Sequence, residues 1–392
     1  MASSTVTDTT LLDEIRLAIK KICADYPGTY WQDLDRNRAY PTNFVNALTE
    51  SGWLAALIPE EYGGSGLTME AATVILEEIH ANGCNAAACH AQMYTMGTVM
   101  RHGSDDQKQQ YLPEIAAGRL RLQAFGVTEP SSGTDTLALK TTAKKTDKGW
   151  RINGQKIWTS RAEYSDLMLL LARTTPRDQV QKRTDGLSVF LLEMKDLVGN
   201  GITIRPIRTM INHATTEVFF DDVEIPHEAL VGEAGQGFSY ILSGMNAERI
   251  LIAAECIGDA KWFLDTATKY ANDRSIFGGP IGQNQGVQFP LAKAYAHMMA
   301  AELMVQKAAR LYDDKNPHGI EANTAKMLAA DASWEAGEAC LQTHGGFGFA
   351  EEYDVERKFR ETRLYQVAPI STNLILSFLA EKGLGLPRSY GK

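Results

Sequence analysis

The chain has 392 residues, of which 44% are hydrophobic and 22% are charged, and its formal net charge at pH 7 is -9. This length is too great for one ordinary core, so two or three packed regions are expected. The acidic balance argues against a nucleic-acid partner, which requires a basic face, and no apolar run is long enough to span a bilayer.

The first region, from about residue 10 to 120, has the pattern of helices. Apolar residues recur at helical spacing near its start, at Leu11, Leu12, Ile15 and Ile19. Segments 69–79 and 85–100 continue the pattern, and the Pro- and Gly-rich stretch 58–68 is expected to be a loop. A helical N-terminal domain follows from this.

The five cysteines are scattered and form neither a CxxC pair nor a metal-ligand spacing. They are expected to be reduced, buried thiols, and no metal site is predicted. The N-terminus lacks a basic segment followed by an apolar one, so no secretory signal is expected. These features predict a cytoplasmic protein.

Between about residues 123 and 235 the pattern changes to short apolar runs bounded by turn residues. Three such runs, LMLLLA, LSVFLLEM and TEVFFDDVEIP, are typical of strands. Leu139–Thr146 and Trp150–Ile152 also look extended, and Asn153–Gly154 follows them. Asn-Gly between strand-like segments predicts a hairpin turn, because both residues tolerate positive φ.

After Gly235 the helical pattern returns and persists to the end of the chain. One apolar face has heptad-like spacing: Ile250, Ala253, Ile257, Ala260, Leu264, Ala267 and Ala271. Two further long patterns cover 291–312 and 324–340. The prediction is a mixed α and β fold with an N-terminal helical domain (1–122), a central β-barrel-like domain (123–235) and a C-terminal four-helix bundle (236–392).

The segment FGVTEPSSGTD, residues 125–135, is rich in turn formers and hydroxyl groups that suit a phosphate. Downstream, in NGQKIWTS, Trp158 and Ser160 flank one residue at the end of a predicted strand. Alternation places both side chains on one face, with an aromatic plate beside a hydroxyl donor. No GxGxxG follows a strand, so a nicotinamide site of that kind is not expected.

Five motifs occur in order along the chain: TEPSSGTD, NGQKIWTS, FFDDVEIP, ATKYANDRSIFGGPI with a following Gln285, and QTHGGFGF. Together, from about residue 52 to 386, they resemble the acyl-CoA dehydrogenase family. The resemblance implies the three-part fold, FAD as cofactor, an acyl-CoA substrate and a homotetramer.

The resemblance also implies the flavin contacts. Phe125, Val127 and Thr128 would line the flavin ring, Trp158 would pack against it, and Ser160 would bond its N5. Further cofactor positions, some reached from a neighbouring subunit, are Gly133, Thr134, Arg274, Phe277, Gln285, Gln342, Gly345, Gly346, Ser371 and Asn373. His344, within the QTHGG motif, is at least as well explained as a packing or surface residue.

Family chemistry removes the α-proton of the thioester with a carboxylate while a hydride leaves the β-carbon. In many members the base is a Glu before the last helix, but here that position is Pro369, which can neither take a proton nor donate an amide. A smaller branch, which includes isovaleryl-CoA dehydrogenase, places its Glu where Glu248 stands. A structural explanation stays open, because Asn246 is a good N-cap and an acid suits a first helical turn.

The resemblance implies substrate contacts at Thr134, Asn246, Arg249 and Ile370. Ala368 stands where the family often has a bulky residue, which suits a branched or bulky acyl group. A branched or medium-chain acyl-CoA is therefore expected. The expected function is α,β-dehydrogenation of an acyl-CoA, with an electron-transferring flavoprotein as electron acceptor. Two alternatives stay open: a flavin monooxygenase or oxidase of the same fold, and an inactive partner subunit.

Overall fold

The computed structural model describes residues 9–389. Helices are numbered in chain order: α1 Thr9–Ala24, α2 Gly28–Asn37, α3 Thr42–Glu50, α4 Met69–Ala81, α5 Ala87–His102, α6 Asp105–Ala116, α7 Gly237–Asp273, α8 Gln285–Asp313, α9 Gly319–His344, α10 Val355–Thr362 and α11 Thr372–Phe378. Strands are numbered likewise: β1 Leu122–Gly126, β2 Thr142–Thr146, β3 Gly149–Ser160, β4 Leu167–Arg173, β5 Leu187–Glu193, β6 Ile202–Pro206, β7 Thr215–Ile225, β8 Leu230–Val231, β9 Ser275–Ile276 and β10 Gly279–Pro280. The predicted mixture of helices and strands is confirmed.

The chain folds into two compact units. One consists of Arg38–Leu67 and Ala87–Met245, and contains strands β1 to β8. The other consists of residues 9–37, Thr68–Ala86 and residues 246–389. Domain boundaries at residues 122 and 235 stay predictions.

The first unit is built on an eight-stranded sheet. Its strand order is β6-β7-β3-β2-β4-β5-β8, and β1 pairs in parallel with β4. Strand β4 is buried along its whole length, because it has neighbouring strands on both edges and both of its faces are packed. The three apolar runs predicted as strands correspond to β4, β5 and β7.

The hairpin predicted at Asn153–Gly154 is wrong. Strands β2 and β3 pair from Thr142↔Asn153 to Thr146↔Gly149, so the turn lies at Asp147–Lys148. Gly154 lies inside β3 with φ +150, and a Cβ there would come within 2.7 Å of Thr141 Cα. The glycine thus serves close packing of backbone rather than a turn.

The second unit is helical. The apolar face predicted for α7 is buried at each of its seven positions, and α8 and α9 cover the two further helical patterns. Side chains join the helices: Lys261 of α7 bonds to Glu302 of α8, and His297 of α8 bonds to Glu335 of α9. Phe263 of α7 packs against Gly337 of α9, where a larger residue would crowd it.

The five cysteines are buried and free, as predicted. Within residues 9–389, no helix combines the length and apolarity that crossing a bilayer requires. In the same range, no group of three or more His, Cys, Asp or Glu side chains is arranged to hold a metal ion.

Candidate active site

Trp158 lies in a β-bulge at the end of β3. Lys156 pairs with Val218 and Thr159 with Thr216, so two residues of β3 face one residue of β7. Trp158 takes a left-handed φ of +62, and 56% of its surface is exposed. Ser160 is half-buried, and Thr159 between them is buried. The bulge therefore leaves Trp158 and Ser160 on the same side of β3, where the Trp158 ring is exposed and the Ser160 hydroxyl is half-buried.

The loop after β1 is fastened to the same part of β3. The Ile157 amide donates to the Thr128 carbonyl at 2.9 Å. Phe125, Val127 and Thr128 are half-buried, and the Phe125 ring lies 6.1 Å from the ring of Tyr94. The two sequence motifs, about 30 residues apart along the chain, therefore form one surface.

Beneath this surface lies a buried ion pair. Lys156 Nζ donates to Glu129 Oε1 and to the Val127 carbonyl, both at 2.9 Å. Glu129 also accepts from the amides of Lys140 and Thr141, at 2.6 and 2.9 Å. Burial lowers the pKa of Lys156 to about 8, against the opposing effect of Glu129. This pair fixes the loop that carries Val127 and Thr128.

The next turn leaves backbone and hydroxyl groups open. Glu129 and Ser132 exchange backbone hydrogen bonds, and Ser132 Oγ donates to the Asp135 carbonyl. Gly133 has no atom within 4 Å of where a Cβ would be, and Thr134 is exposed. Both therefore stand free to approach a ligand.

In the helical unit, Glu248 does not lie at a helix start. Helix α7 begins at Gly237, eleven residues earlier. The explanations of Asn246 as an N-cap and of Glu248 as a first-turn acid are therefore wrong. The helix macrodipole, which acts within the first turn, gives no reason for an acid at this position.

Arg249 lies beside Glu248 on α7. Its Nη1 donates to Asn246 Oδ1 at 2.8 Å. Burial lowers the pKa of Arg249, and the charge of Glu248 acts in the opposite direction. Asn246 and Arg249 thus lie on one face of α7, and Glu248 influences Arg249 through its charge.

The turn before α11 contains Ala368 and Pro369, joined by a cis peptide bond. The amide of Ala368 donates to the Leu364 carbonyl at 2.9 Å. Ala368 and Ile370 are half-buried, and Pro369 is exposed. The turn therefore offers neither a carboxylate nor an amide at residue 369.

The residues predicted for the adenine end fall in the helical unit. The Arg274 guanidinium lies 5.8 Å from the Phe347 ring, which follows Gly345 and Gly346. Phe277, in the β9–β10 hairpin, has φ +51 and is completely exposed. Arg274 thus lies close to the segment that contains Gly345 and Gly346, at the C-terminal end of α9.

Gln342 lines an open groove of about 730 Å³ formed mainly by α8 and α9. Gln285 and Asn373 are exposed. Each lies in the first turn of its helix, α8 and α11 respectively, and Ser371 precedes α11.

His344 is buried, stacks on Tyr270 at 4.1 Å, and its Nδ1 lies 2.8 Å from the Cys340 carbonyl. The interpretation of His344 as a packing residue therefore holds.

Residues 9–119, 124–223 and 235–382 match, respectively, the N-terminal, middle and C-terminal domains of acyl-CoA dehydrogenases. The chain is 34% identical over 393 residues to the acyl-CoA dehydrogenase FadE12 of Mycobacterium tuberculosis, covering 98% of this chain and 100% of the relative. The chain belongs to the acyl-CoA dehydrogenase family. The solved structure of a glutaryl-CoA dehydrogenase with glutaryl-CoA is 29% identical, with a TM-score of 0.89 and 98% of each chain covered. Butyryl-CoA dehydrogenase of Megasphaera elsdenii is 27% identical, with a TM-score of 0.87, covering 97% of this chain and 100% of that one.

As an acyl-CoA dehydrogenase, the protein is a FAD-dependent oxidoreductase, and the predictions of family, fold class, enzyme class and cofactor are confirmed. The residues present fit the cofactor. Trp158 is an exposed indole next to a half-buried hydroxyl, Ser160, and Gly133 leaves the space that a phosphate group needs. An aromatic ring held out from the end of a strand by a bulge is suited to pack on a flavin.

Sequence reasoning missed two residues of this acyl-CoA dehydrogenase, Lys156 and Glu129. The signal for Lys156 was available, because it alternates with Trp150 and Ile152, which are buried. A lysine on the buried face of a strand needs a partner, and Glu129 supplies the charge. The partner could not be identified from the sequence alone, because its approach to Lys156 depends on how the loop after β1 packs against β3.

Proposed function

We propose that this acyl-CoA dehydrogenase removes the α-proton of an acyl-CoA thioester with Glu248. The observation that carries the proposal is the position of Glu248 inside α7, where no cap or first-turn effect accounts for it. Pro369 occupies the alternative position of the base and cannot act as one. Glu248 lies within one helical turn of Arg249 and Asn246, which we propose as substrate contacts with Thr134 and Ile370.

Bound FAD supplies the acceptor for the hydride that leaves the β-carbon. We propose that Phe125, Val127 and Thr128 line the flavin edge, that Trp158 packs on its ring, and that the Ser160 hydroxyl bonds to N5. In the helical unit, Glu248 accepts the α-proton. Arg249, which donates a hydrogen bond to Asn246, helps to position the substrate end of the site. The product is the 2-enoyl-CoA.

The remaining proposed cofactor contacts lie at the pyrophosphate and adenine end: Gly133, Thr134, Arg274, Phe277, Gln285, Gln342, Gly345, Gly346, Ser371 and Asn373. The groups from Arg274 to Asn373 all lie in the helical unit. Arg274 supplies a cation for a phosphate, and Gly345 and Gly346 have open space around them.

The decisive experiment is anaerobic mixing of the FAD-loaded Glu248→Gln variant with a panel of acyl-CoAs. We expect full flavin content and no bleaching of the flavin, because glutamine cannot accept the proton. Asp265→Asn is the matched control, since Asp265 is an exposed acid on the same helix, and it should bleach normally. Normal reduction of Glu248→Gln would refute the assignment of the base.

The acyl group is proposed to be branched or of medium length, because Ala368 leaves space that a larger side chain would fill. Turnover of straight and β-methyl acyl-CoAs of equal length compares the two classes. Ala368→Leu should lower kcat/KM for the branched substrate more than for the straight one, by about tenfold. Equal losses for both would show that Ala368 does not limit the acyl group.

We further propose a cytoplasmic homotetramer that acts in fatty-acid metabolism and delivers electrons to an electron-transferring flavoprotein. Phe277 is fully exposed and its neighbour Ile276 is also exposed, and a contiguous exposed apolar surface supports assembly. Sedimentation of the FAD-loaded protein measures the oligomeric state.

A further inference from the structure

Lys326 of α9 is a lysine with no exposed surface. Its Nζ donates to the backbone carbonyls of Tyr365 at 2.6 Å and of Ile370 at 2.9 Å. Both acceptors are neutral, so the ammonium is held by two dipoles rather than by an ion pair. A buried cation of this kind is costly and calls for an explanation beyond packing.

The two carbonyls bracket the turn formed by residues 366–369. A second tether runs from α9 to the same turn, because Gln366 Nε2 donates to the Ala330 carbonyl at 2.9 Å. Ala330 follows Lys326 by one helical turn, so both contacts arise from one face of α9. The turn that holds Ala368 and Pro369 is thereby fixed to α9 at both ends.

Lys326 is also electrostatically linked to the proposed base. Burial lowers the pKa of Lys326, and Cys256, Asp331 and Glu248 act to raise it, while Arg249 acts to lower it. Glu248 and Arg249 belong to α7, and Asp331 to α9. The first turn of α9 packs against the same part of α7, since a Cβ at Gly319 would lie 3.8 Å from Asn246 Nδ2.

We propose that Lys326 is a positioning residue for the dehydrogenation: it fixes the 365–370 turn against α9 and supplies the cation that favours the carboxylate form of Glu248. This inference rests on the proposed role of Glu248. It explains why a buried lysine binds two neutral carbonyls: these hold its charge near α7 without neutralising it. Arg249 of α7 is the second cation in this arrangement.

The test is the rate of anaerobic flavin bleaching as a function of pH in the FAD-loaded Lys326→Met variant. Methionine keeps an unbranched apolar chain but removes the charge and the donors. The acid limb of the pH profile should move up by about one pH unit, since loss of a nearby cation makes a carboxylate harder to form. Below the limb, the rate should therefore fall about tenfold. An unmoved limb would overturn the proposal.

Two variants separate the charge from the tether and from general destabilisation. Gln366→Met removes the second tether without a change of charge, and should slow bleaching while the limb stays in place. Lys358→Met removes another buried lysine, which pairs with Asp259, and should reduce stability without moving the limb. A shift of the limb in Lys358→Met equal to that in Lys326→Met would show a merely structural effect.

If Lys326→Met does not fold, Lys326→Gln is used, because its amide can still donate to one of the two carbonyls. Failure of both neutral variants to fold would assign Lys326 a structural role and overturn the proposal. The outcomes also separate this inference from the proposed function. Bleaching by Glu248→Gln refutes the base, whereas an inactive Glu248→Gln with an unmoved limb in Lys326→Met refutes the role of Lys326 alone.

Discussion

Lys156 donates a 2.9 Å hydrogen bond to Glu129, and both side chains are almost completely buried. The same ammonium donates to the Val127 carbonyl. A charge pair therefore fixes the loop between β1 and β2 to strand β3, directly beneath the surface proposed to bind the flavin. The pair positions backbone rather than contacting a ligand.

Breaking this pair should lower both the free energy of unfolding and the affinity for FAD. Lys156→Met leaves the Glu129 carboxylate buried without its cation, and the free energy of unfolding should fall by about 3–5 kcal/mol. FAD affinity should fall at least about tenfold because Val127 and Thr128 lose their support. Urea unfolding and FAD titration measure the two effects.

The matched control is Arg151→Met, in the same strand as Lys156. It breaks an exposed pair between Arg151 and Glu224 of β7. Exposed pairs contribute little, so its urea midpoint should stay close to that of the parent protein. Equal destabilisation by the two variants would contradict a special role for the buried pair.

Glu129 should make stability depend on pH in the acid range. Burial acts to raise its pKa, but Lys156 and the groups of Thr141 and Lys140 outweigh burial and lower it. The unfolded chain then binds a proton more readily than the folded one, so the contribution is complete above about pH 4.3, the ordinary glutamate value, and is lost as the pH falls through the folded pKa.

Glu129→Gln removes this titration. The difference in urea midpoint between the parent protein and the variant should be largest near neutral pH and should shrink below about pH 4.3. A difference that stays constant down to the acid transition would show that Glu129 is not held ionised by Lys156.

Trp158 is expected to carry backbone strain and also to contribute to flavin binding. A non-glycine residue at φ +62 costs about 1 kcal/mol, so Trp158→Gly should be about 1 kcal/mol more stable than Trp158→Ala. Both variants should bind FAD weakly, whereas Trp158→Phe should keep most of the affinity because it retains an aromatic ring. Tight FAD binding by Trp158→Ala would show that the indole does not pack on the flavin.

Phe277 is expected to act in assembly. Phe277→Ser should shift the sedimentation profile towards smaller species, because the exposed ring would lose its apolar partner surface. Leu17→Ser, on the exposed side of α1, is the control and should leave the profile unchanged. An unchanged profile for Phe277→Ser would place the contact elsewhere.

The sequence predicted the helical regions well, since the apolar face of α7 is continuous and each of its positions is buried. It failed at Asn153–Gly154, where local turn chemistry favours a hairpin but the pairing of β3 with both β2 and β7 extends the strand. Register is a long-range property, and a single dipeptide does not contain it.

The start of α7 was also misplaced, because Asn246 has the chemistry of an N-cap although the helix begins at Gly237. The bulge at Trp158 was not foreseen either. Strict alternation along β3 would place Trp158 on the same buried face as Lys156, and the extra residue moves it to the exposed side. The residue types of the site were predictable from motifs, whereas their exposure depended on this irregularity.

Lys326 anchors the 365–370 turn through backbone oxygens, which every amino acid possesses. The side chains between the anchors can therefore be exchanged without altering the attachment of the turn to α9. Mutational drift at Val367 and Ala368 would then reshape the surface proposed to hold the acyl group while the backbone of the turn is preserved. Libraries randomised at these two positions should yield folded enzymes with altered substrate range more often than libraries that also vary Lys326.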